Sequence, residues 1–132
     1  MTGSLPLHEA VGGDEFFERL VGRFYEGVAG DEVLLPLYPE QDDLAGARRR
    51  LAMFLVQYWG GSGAYSEERG HPRLRMRHAP YPIGSLERDR WLRHMLAALD
   101  ATVAESGTAL ELRDEMAVYF VRAAEHMVNR AD

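Results

Sequence analysis

The stretch His71–Pro82 reads His-Pro-Arg-Leu-Arg-Met-Arg-His-Ala-Pro-Tyr-Pro and combines two histidines, three arginines and three prolines. Pro72 favours the start of a short helix, where an N–H would have no partner in any case. Pro80 disfavours helical backbone at the residue before it, so we expect that helix to end near His78. A histidine held in one direction at a helix end suits an axial metal ligand. The simpler interpretation is an exposed histidine on a surface loop.

Length and composition favour one packed domain. The chain has 132 residues, of which 46% are hydrophobic, so we expect a single domain over residues 1–132 with a loose N-terminal arm at residues 1–9. The formal net charge of −6 argues against general nucleic-acid binding, which needs a basic surface. The chain contains no cysteine, which excludes disulfides and thiolate ligands.

Neither a signal peptide nor a membrane-spanning segment is recognisable. The N-terminus lacks the charged segment and apolar core of a signal peptide. The longest uninterrupted apolar run, Leu51–Val56, is far too short to cross a bilayer. We therefore expect a cytoplasmic protein that does not insert into membranes.

Helical periodicity dominates the rest of the chain and predicts an all-α fold. Apolar residues at helical spacing predict one helix from Asp14 to about Ala29 and another from Asp42 or Asp43 to Trp59. A third helix follows Ser85 as its cap, and Thr108 opens a capping box for the last one. The pattern thus predicts four substantial helices with short helical pieces between them.

Two connections between the predicted helices contain proline or several glycines. Val33–Tyr38 contains Pro36, which makes a central strand improbable, so we expect a short helical corner that carries Tyr38 to the interior. Gly60–Gly70 is glycine-rich, and we expect it to be irregular.

Three residues combine a large apolar ring with one polar hydrogen, namely Tyr25, Tyr38 and Trp91. Once buried, each of these hydrogens needs an acceptor. Three such donors that face one cavity suit a diatomic ligand with partial negative charge. Alternatively, each hydrogen bonds a nearby backbone carbonyl.

Several blocks of the sequence resemble the truncated haemoglobins of group II, also called O-type, and the actinobacterial members most. The resemblance extends from Ala10 to Asn129. Its most specific blocks are Arg23-Phe24-Tyr25, Tyr38-Pro39-Glu40, Asp43-Leu44-Ala45-Gly46-Ala47, Phe54–Gly61, Tyr65-Ser66-Glu67, Arg69–Pro80 and Glu87–Leu92.

This resemblance implies a truncated globin fold, in which a two-over-two helical sandwich surrounds haem b (iron protoporphyrin IX). It implies that His78 is the proximal ligand of the iron. It also implies a distal pocket, in which Ala47 matches the position that is histidine in ordinary globins. The implied distal residues are Tyr25, Tyr38, Trp91, Ala47, Leu51 and Phe54.

The two haem propionates need cations or hydroxyls at the rim of such a pocket. The candidates by position are Tyr65, His71, Arg75 and Arg77. For each arginine, a solvated surface position is the alternative.

The resemblance implies a haem protein that binds O₂, NO, CO or similar small ligands. A tightly held O₂ suits reaction better than transport, so nitric oxide dioxygenation or peroxidase-like turnover is the first hypothesis, with an external reductase or other electron donor. The second is a non-catalytic sensor, store or scavenger, and the third is a haem-free helical adaptor. Association into a homo-oligomer fits each of them.

The chain departs from the family pattern at three places. One extra residue lies between the corner and the next helix, within Pro39–Leu44. Ser62-Gly63-Ala64 replaces a segment that commonly contains proline in the family, and this should loosen the loop. The N-terminal arm is a few residues longer.

Overall fold

The structure is a computed structural model that describes residues 5–39 and 43–131. Within these ranges there is no strand, so the all-α prediction is confirmed. A short 3₁₀ helix, Leu35–Leu37, lies between the second and third α-helices. The α-helices are α1 (Leu7–Ala10), α2 (Asp14–Ala29), α3 (Ala45–Tyr58), α4 (Ala64–Arg69), α5 (Leu74–His78), α6 (Ser85–Ser106) and α7 (Leu110–Met127).

The four long helices form the core of the described chain. Helix α2 packs against α6 and α3, and α6 packs against α7. Each helix contributes side chains that are almost completely buried, which are Phe17, Leu20, Phe24, Leu55, Met95, Leu99, Met116 and Phe120. No helix among the described residues is both long and apolar enough to cross a bilayer.

Helix α2 has the bounds that its sequence predicts. Gly13 precedes it with a φ of 81°, a conformation that favours glycine. Asp14 and Glu15 lie in its first turn, where the helix dipole favours negative charge. The chain leaves the helix at Gly30, and the apolar face between these ends is buried.

The predicted capping box at Thr108 is wrong. Helix α7 begins at Leu110 with Ala109 before it. Thr108 instead belongs to the end of α6, because its N–H, like that of Gly107, donates to the carbonyl oxygen of Val103. Its hydroxyl lies 2.6 Å from the hydroxyl of Ser106.

The segment Gly60–Gly70 is not irregular throughout, because it contains α4. The side-chain amide of Gln57 accounts for this helix: its Oε1 accepts a hydrogen bond from the N–H of Ser66 at 2.9 Å, and its Nε2 donates to the hydroxyl of Ser66 at 2.7 Å. The adjacent Tyr65 is consequently buried.

The region of the predicted one-residue insertion, Pro39–Leu44, is described only at its two ends. Asp42 and the inserted region at residues 40–42 lie outside the described residues. The N-cap residue of α3 is Leu44 rather than an aspartate. Asp43, one residue earlier, accepts a hydrogen bond from the N–H of Ala45 at 2.9 Å and so satisfies one free N–H at the start of the helix.

Part of the segment expected to be a loose arm packs on the core. Residues 1–4 lie outside the described residues. Leu7 is buried in α1, and the N–H of His8 donates to the carbonyl oxygen of Trp59 at 3.0 Å. The ring of His8 also bonds the carboxylate of Asp14 at 2.6 Å.

Candidate functional site

A cavity of about 330 Å³ opens between α3, α5, α6, α7 and the corner that follows α2. We call it the central cavity. Ligand sites typically have volumes of about 300–1,000 Å³ and mostly apolar walls with a few polar groups. The wall of this cavity includes nine of the residues predicted from sequence, which are Tyr25, Tyr38, Ala47, Leu51, Phe54, Tyr65, Arg77, His78 and Trp91.

His78 is the last residue of α5, as predicted. The expected cause is wrong, because Ala79 before Pro80 keeps helical backbone angles, with a φ of −54° and a ψ of −36°, and the helix begins at Leu74 rather than at Pro72. Its Nδ1 lies 2.6 Å from the carbonyl oxygen of Leu74, one helical turn earlier. This contact makes Nδ1 the protonated nitrogen and leaves Nε2 as the nitrogen with a free lone pair. Because His78 lines the cavity, an imidazole with a fixed ring orientation and an unpaired Nε2 lies at its wall.

The backbone after His78 is held by Asn129, just beyond α7. The amide Nδ2 of Asn129 donates to the carbonyl oxygens of Tyr81 at 2.9 Å and of His78 at 3.3 Å. Its Oδ1 accepts from the N–H of Ile83 at 2.9 Å. Sequence reasoning missed this clamp; its only signal was that Asn129 ends the region of resemblance.

Tyr25 and Tyr38 are in contact at the wall of the same cavity. The ring centroids of Tyr25 and Tyr38 are 5.6 Å apart in an edge-to-face arrangement. Burial raises the pKa of Tyr25 to about 12, although hydrogen bonding with Tyr38 and the charge of Arg50 act in the opposite direction. Burial and the adjacent Tyr25 raise the pKa of Tyr38 well above its usual value. Both hydroxyls therefore keep their protons at neutral pH. Because one of the two hydroxyls donates to the other, the proton of the accepting hydroxyl is the one available to a ligand.

Trp91 completes the polar set on the cavity wall. Its ring packs edge-on against Phe24, with centroids 5.3 Å apart, and against Phe120 at 6.0 Å. Among the described residues its indole N–H has no hydrogen-bond partner, and no buried side-chain polar atom of those residues is left without one. The Trp91 N–H is therefore accessible to a molecule in the cavity.

A buried aspartate fixes the corner that carries Tyr38. The carboxylate of Asp31 accepts hydrogen bonds from the N–H groups of Val33 at 2.8 Å and Leu34 at 3.1 Å. Its other oxygen lies 2.7 Å from Nε2 of His94 and 3.5 Å from the guanidinium of Arg90. One carboxylate thus joins the corner after α2 to α6, the helix that carries Trp91.

The charge of Asp31 is stable in this setting. Burial favours the neutral acid, but hydrogen bonds from His94, Val33 and Leu34, with the charge of Arg90, lower the pKa of Asp31 to about 2. Sequence reasoning missed this group, because nothing local links Asp31 to a histidine 63 positions away.

The predicted rim residues divide into two groups. Tyr65 and Arg77 line the central cavity, whereas His71 and Arg75 line a second depression beside α7. The guanidinium of Arg77 donates to the backbone carbonyls of Pro72 at 2.7 Å and Arg69 at 2.8 Å, so it also shapes the turn before α5.

Arg75 has a structural partner as well. Its guanidinium donates to the carbonyl oxygens of His126 at 3.1 Å and Val128 at 3.4 Å, at the C-terminal end of α7 where a helix favours cations. Three further arginines line the central cavity, which are Arg50, Arg69 and Arg88. The sequence suggests that one arginine of the run Arg48–Arg50 turns toward an anionic ligand, without saying which, and sequence reasoning missed Arg69 and Arg88.

A family model described as a bacterial-like globin matches residues 6–129. The chain belongs to the bacterial-like globin family. A group 2 truncated hemoglobin of Bacillus subtilis is 40% identical to this globin over 125 residues, which cover 95% of this chain and 89% of the relative. Membership implies that this globin binds haem and small gaseous ligands.

Solved structures agree with this assignment. A thermostable hemoglobin from the actinobacterium Thermobifida fusca is 57% identical, with a TM-score of 0.89 over 95% of this chain and 98% of that chain. A truncated haemoglobin from Bacillus subtilis, described as oxygen-avid, is 40% identical, with a TM-score of 0.84 over 95% of this chain and 100% of that chain. The resemblance to group II truncated haemoglobins and the truncated globin fold are confirmed.

The residues of the central cavity fit a haem. Its apolar wall suits a porphyrin ring, and the free Nε2 of His78 is the type of ligand that haem iron takes. The arginines and Tyr65 on the same wall are the groups that anionic propionates need.

Proposed function

We propose that this globin binds haem b with His78 as the axial ligand and holds O₂, NO or CO between Tyr25, Tyr38 and Trp91. Haem iron supplies the site for a diatomic ligand and transfers electron density to it. The contact between Nδ1 of His78 and the carbonyl oxygen of Leu74, at 2.6 Å, carries the proposal, because it directs the ring and leaves Nε2 available.

The distal residues have separate roles in this proposal. The indole N–H of Trp91 and the free hydroxyl proton of the Tyr25–Tyr38 pair donate to the partly negative ligand, and the hydrogen bond between the two tyrosines orients that proton. Hydrogen bonds to charged groups contribute about 1.5–3 kcal/mol each, so two donors slow ligand release strongly. Ala47 leaves room beside the ligand, and Leu51 and Phe54 exclude water and restrict entry. Tyr65 and Arg77 bind the propionates, with His71 and Arg75 nearer the second depression.

We propose that the bound O₂ serves redox chemistry rather than transport. Slow release is unfavourable for a carrier and favourable for a reaction in the pocket. Nitric oxide dioxygenation or peroxidase-like turnover fits this pocket, and the Bacillus subtilis relative described as oxygen-avid supports strong O₂ binding. The alternative is a non-catalytic sensor, store or scavenger. Strong O₂ binding by the same distal residues suits this function as well as it suits redox chemistry.

The cycle needs an electron donor outside this globin. We propose that an external reductase in the cytoplasm supplies the electrons. In this proposal the globin is a single domain that can form a homo-oligomer.

A comparison of turnover with binding separates the two functions. The haem-reconstituted ferrous protein is mixed with O₂ and NO in the presence of a reductant, and NO consumption is compared with that of free haem and of the Tyr25→Phe variant. A dioxygenase consumes NO over many turnovers, faster than free haem, and Tyr25→Phe slows it. Consumption that stops after one equivalent supports the sensor or store.

A further inference from the structure

A second depression lies between α7 and the segment His71–Arg75, with a volume of about 760 Å³ and a wide opening to solvent. We call it the α7 groove. Its wall and that of the central cavity share five residues, which are Phe54, Leu74, Tyr119, Ala123 and Met127. Tyr119 is the only one of these five whose side chain is readily oxidised by one electron.

Tyr119 is in contact with a second tyrosine on the surface. Its ring centroid lies 4.3 Å from that of Tyr58, with the planes tilted by 33°, so the two rings are in direct contact. Tyr58 is 52% exposed and lines the α7 groove but not the central cavity. The two phenols therefore form a continuous contact from the cavity wall to the surface.

The two phenols differ in burial. Burial, with a smaller contribution from Tyr58, raises the pKa of Tyr119 to about 12. Tyr119 is therefore a neutral phenol at neutral pH. Tyr58 is the exposed member of the pair, so a proton that leaves on oxidation can pass to the solvent and return.

The α7 groove is basic although the chain is acidic. Three arginines and one glutamate line it, namely Arg73, Arg75, Arg122 and Glu115, in a chain with a net charge of −6. Arg73 and Arg122 form no ion pair with any other described residue. A ligand with a negative charge would gain from this wall.

We propose that the α7 groove binds small anionic phenols and that Tyr58 and Tyr119 pass their electrons, one at a time, to the central cavity. This inference rests on the proposed haem function and names a substrate class and an entry point for its peroxidase-like form. The carboxylate of the substrate pairs with Arg73 or Arg122, and the phenol ring lies against Tyr58.

The electrons and atoms balance with a hydroperoxide as the oxidant. Its O–O bond breaks in the central cavity, and it takes two electrons and two protons to give two waters, or water and an alcohol. Two phenol molecules each lose one electron and one proton and leave as phenoxyl radicals. Each electron passes from the phenol to Tyr58 and then to Tyr119. The phenol protons enter the solvent at the groove, and the hydroperoxide takes its protons from water.

Radical labelling tests the route without relying on turnover. The haem-reconstituted full chain is treated with hydrogen peroxide and a nitroso spin trap in the absence of a reductant, and the adducts are located by peptide mass spectrometry. We expect an adduct on Tyr58 that is lost in Tyr119→Phe. It should persist in Tyr81→Phe, which removes a phenol from the wall of the central cavity only. An adduct on Tyr58 that survives Tyr119→Phe overturns the route.

The charge of the substrate tests the binding site. Oxidation of para-hydroxyphenylacetate is compared with that of tyramine, a phenol of similar size and opposite charge. Replacing both Arg73 and Arg122 with Gln should raise KM for the anion about two- to fivefold, the range of an exposed ion pair, and should not raise KM for the cationic tyramine. Equal effects on both substrates overturn the assignment of the groove.

The carbon monoxide complex separates this inference from the proposed function. A protein that forms a normal carbon monoxide complex but carries no Tyr58 adduct overturns the route alone. A protein that forms no carbon monoxide complex overturns the haem function and the route with it.

Discussion

Replacing Trp91 with phenylalanine removes one donor from the distal pocket and keeps the ring. The edge-on contacts with Phe24 and Phe120 involve the aromatic ring, which phenylalanine retains in part. The indole N–H has no hydrogen-bond partner among the described residues, so its loss leaves no protein acceptor unpaired. The variant therefore isolates the interaction with a ligand in the cavity.

The expected effect on O₂ release follows from the strength of that hydrogen bond. A hydrogen bond to a charged group contributes about 1.5–3 kcal/mol. Because every 1.4 kcal/mol is a factor of ten, its loss should raise the O₂ dissociation rate constant roughly 10- to 150-fold. Stopped-flow replacement of O₂ by carbon monoxide measures this rate directly.

The second tryptophan of the chain provides the matched control. Trp59 is buried against Tyr119 and Phe120, with ring centroids 5.1 and 5.7 Å away, and it is not part of the cavity wall. Trp59→Phe should leave the O₂ dissociation rate unchanged. If Trp91→Phe also leaves it unchanged, Trp91 does not donate to the ligand and the reasoning fails.

Three further predictions concern stability. Because the pKa of Asp31 is lowered to about 2, its charged form stabilises the fold above about pH 4. The free energy of unfolding of the wild type in urea should exceed that of Asp31→Ala, and this difference should shrink by about 2 kcal/mol as the pH falls from about 5 to 2. A difference that does not change with pH would show that the charge of Asp31 does not stabilise the fold. An added Cβ at Gly27 would lie 2.4 Å from Nδ1 of His94, so Gly27→Ala should lower the free energy of unfolding by about 1–3 kcal/mol. Gly63→Ala, which meets nothing within 4 Å, should not. The melting temperature with haem should exceed that of the apoprotein by more than about 10 °C, and equal values would refute haem as a ligand of the folded state.

The parts of the fold predicted correctly are those with local causes. The bounds of α2 follow from a glycine before Asp14 and another after Ala29. The end of α5 lies close to Pro80, which has no N–H with which to continue the helix. These signals act over one or two residues, so a sequence shows them directly. The cavity position of His78 and the distal residues came from a resemblance, and their roles in binding remain predictions.

The parts that sequence reasoning missed depend on distant partners. Asp31 meets His94 across 63 positions, and Asn129 bonds the carbonyl of Tyr81 across 48. Neither pairing leaves a local pattern, because both join elements that only the packing of helices brings together. Thr108 shows the reverse case. A local capping pattern is present in the sequence, but the N–H of Thr108 bonds the carbonyl oxygen of Val103 at the end of α6 instead.

The position of the arginines was also beyond sequence reasoning. Arg77 and Arg75 use their guanidinium groups for backbone carbonyls, which no sequence pattern indicates. Arg50, Arg69 and Arg88 reach the cavity wall from helices whose outer faces are otherwise solvated. Which arginines hold the propionates therefore depends on side-chain geometry rather than on position in the chain.

Resonance Raman spectroscopy of the ferrous, haem-reconstituted protein tests the coordination of iron by His78 most directly. The wild type and His71→Ala, which changes a histidine outside the central cavity, should both show the iron–imidazole stretching band. His78→Ala should lose this band and regain one when free imidazole is added. An iron–imidazole band that persists in His78→Ala without added imidazole would contradict the assignment.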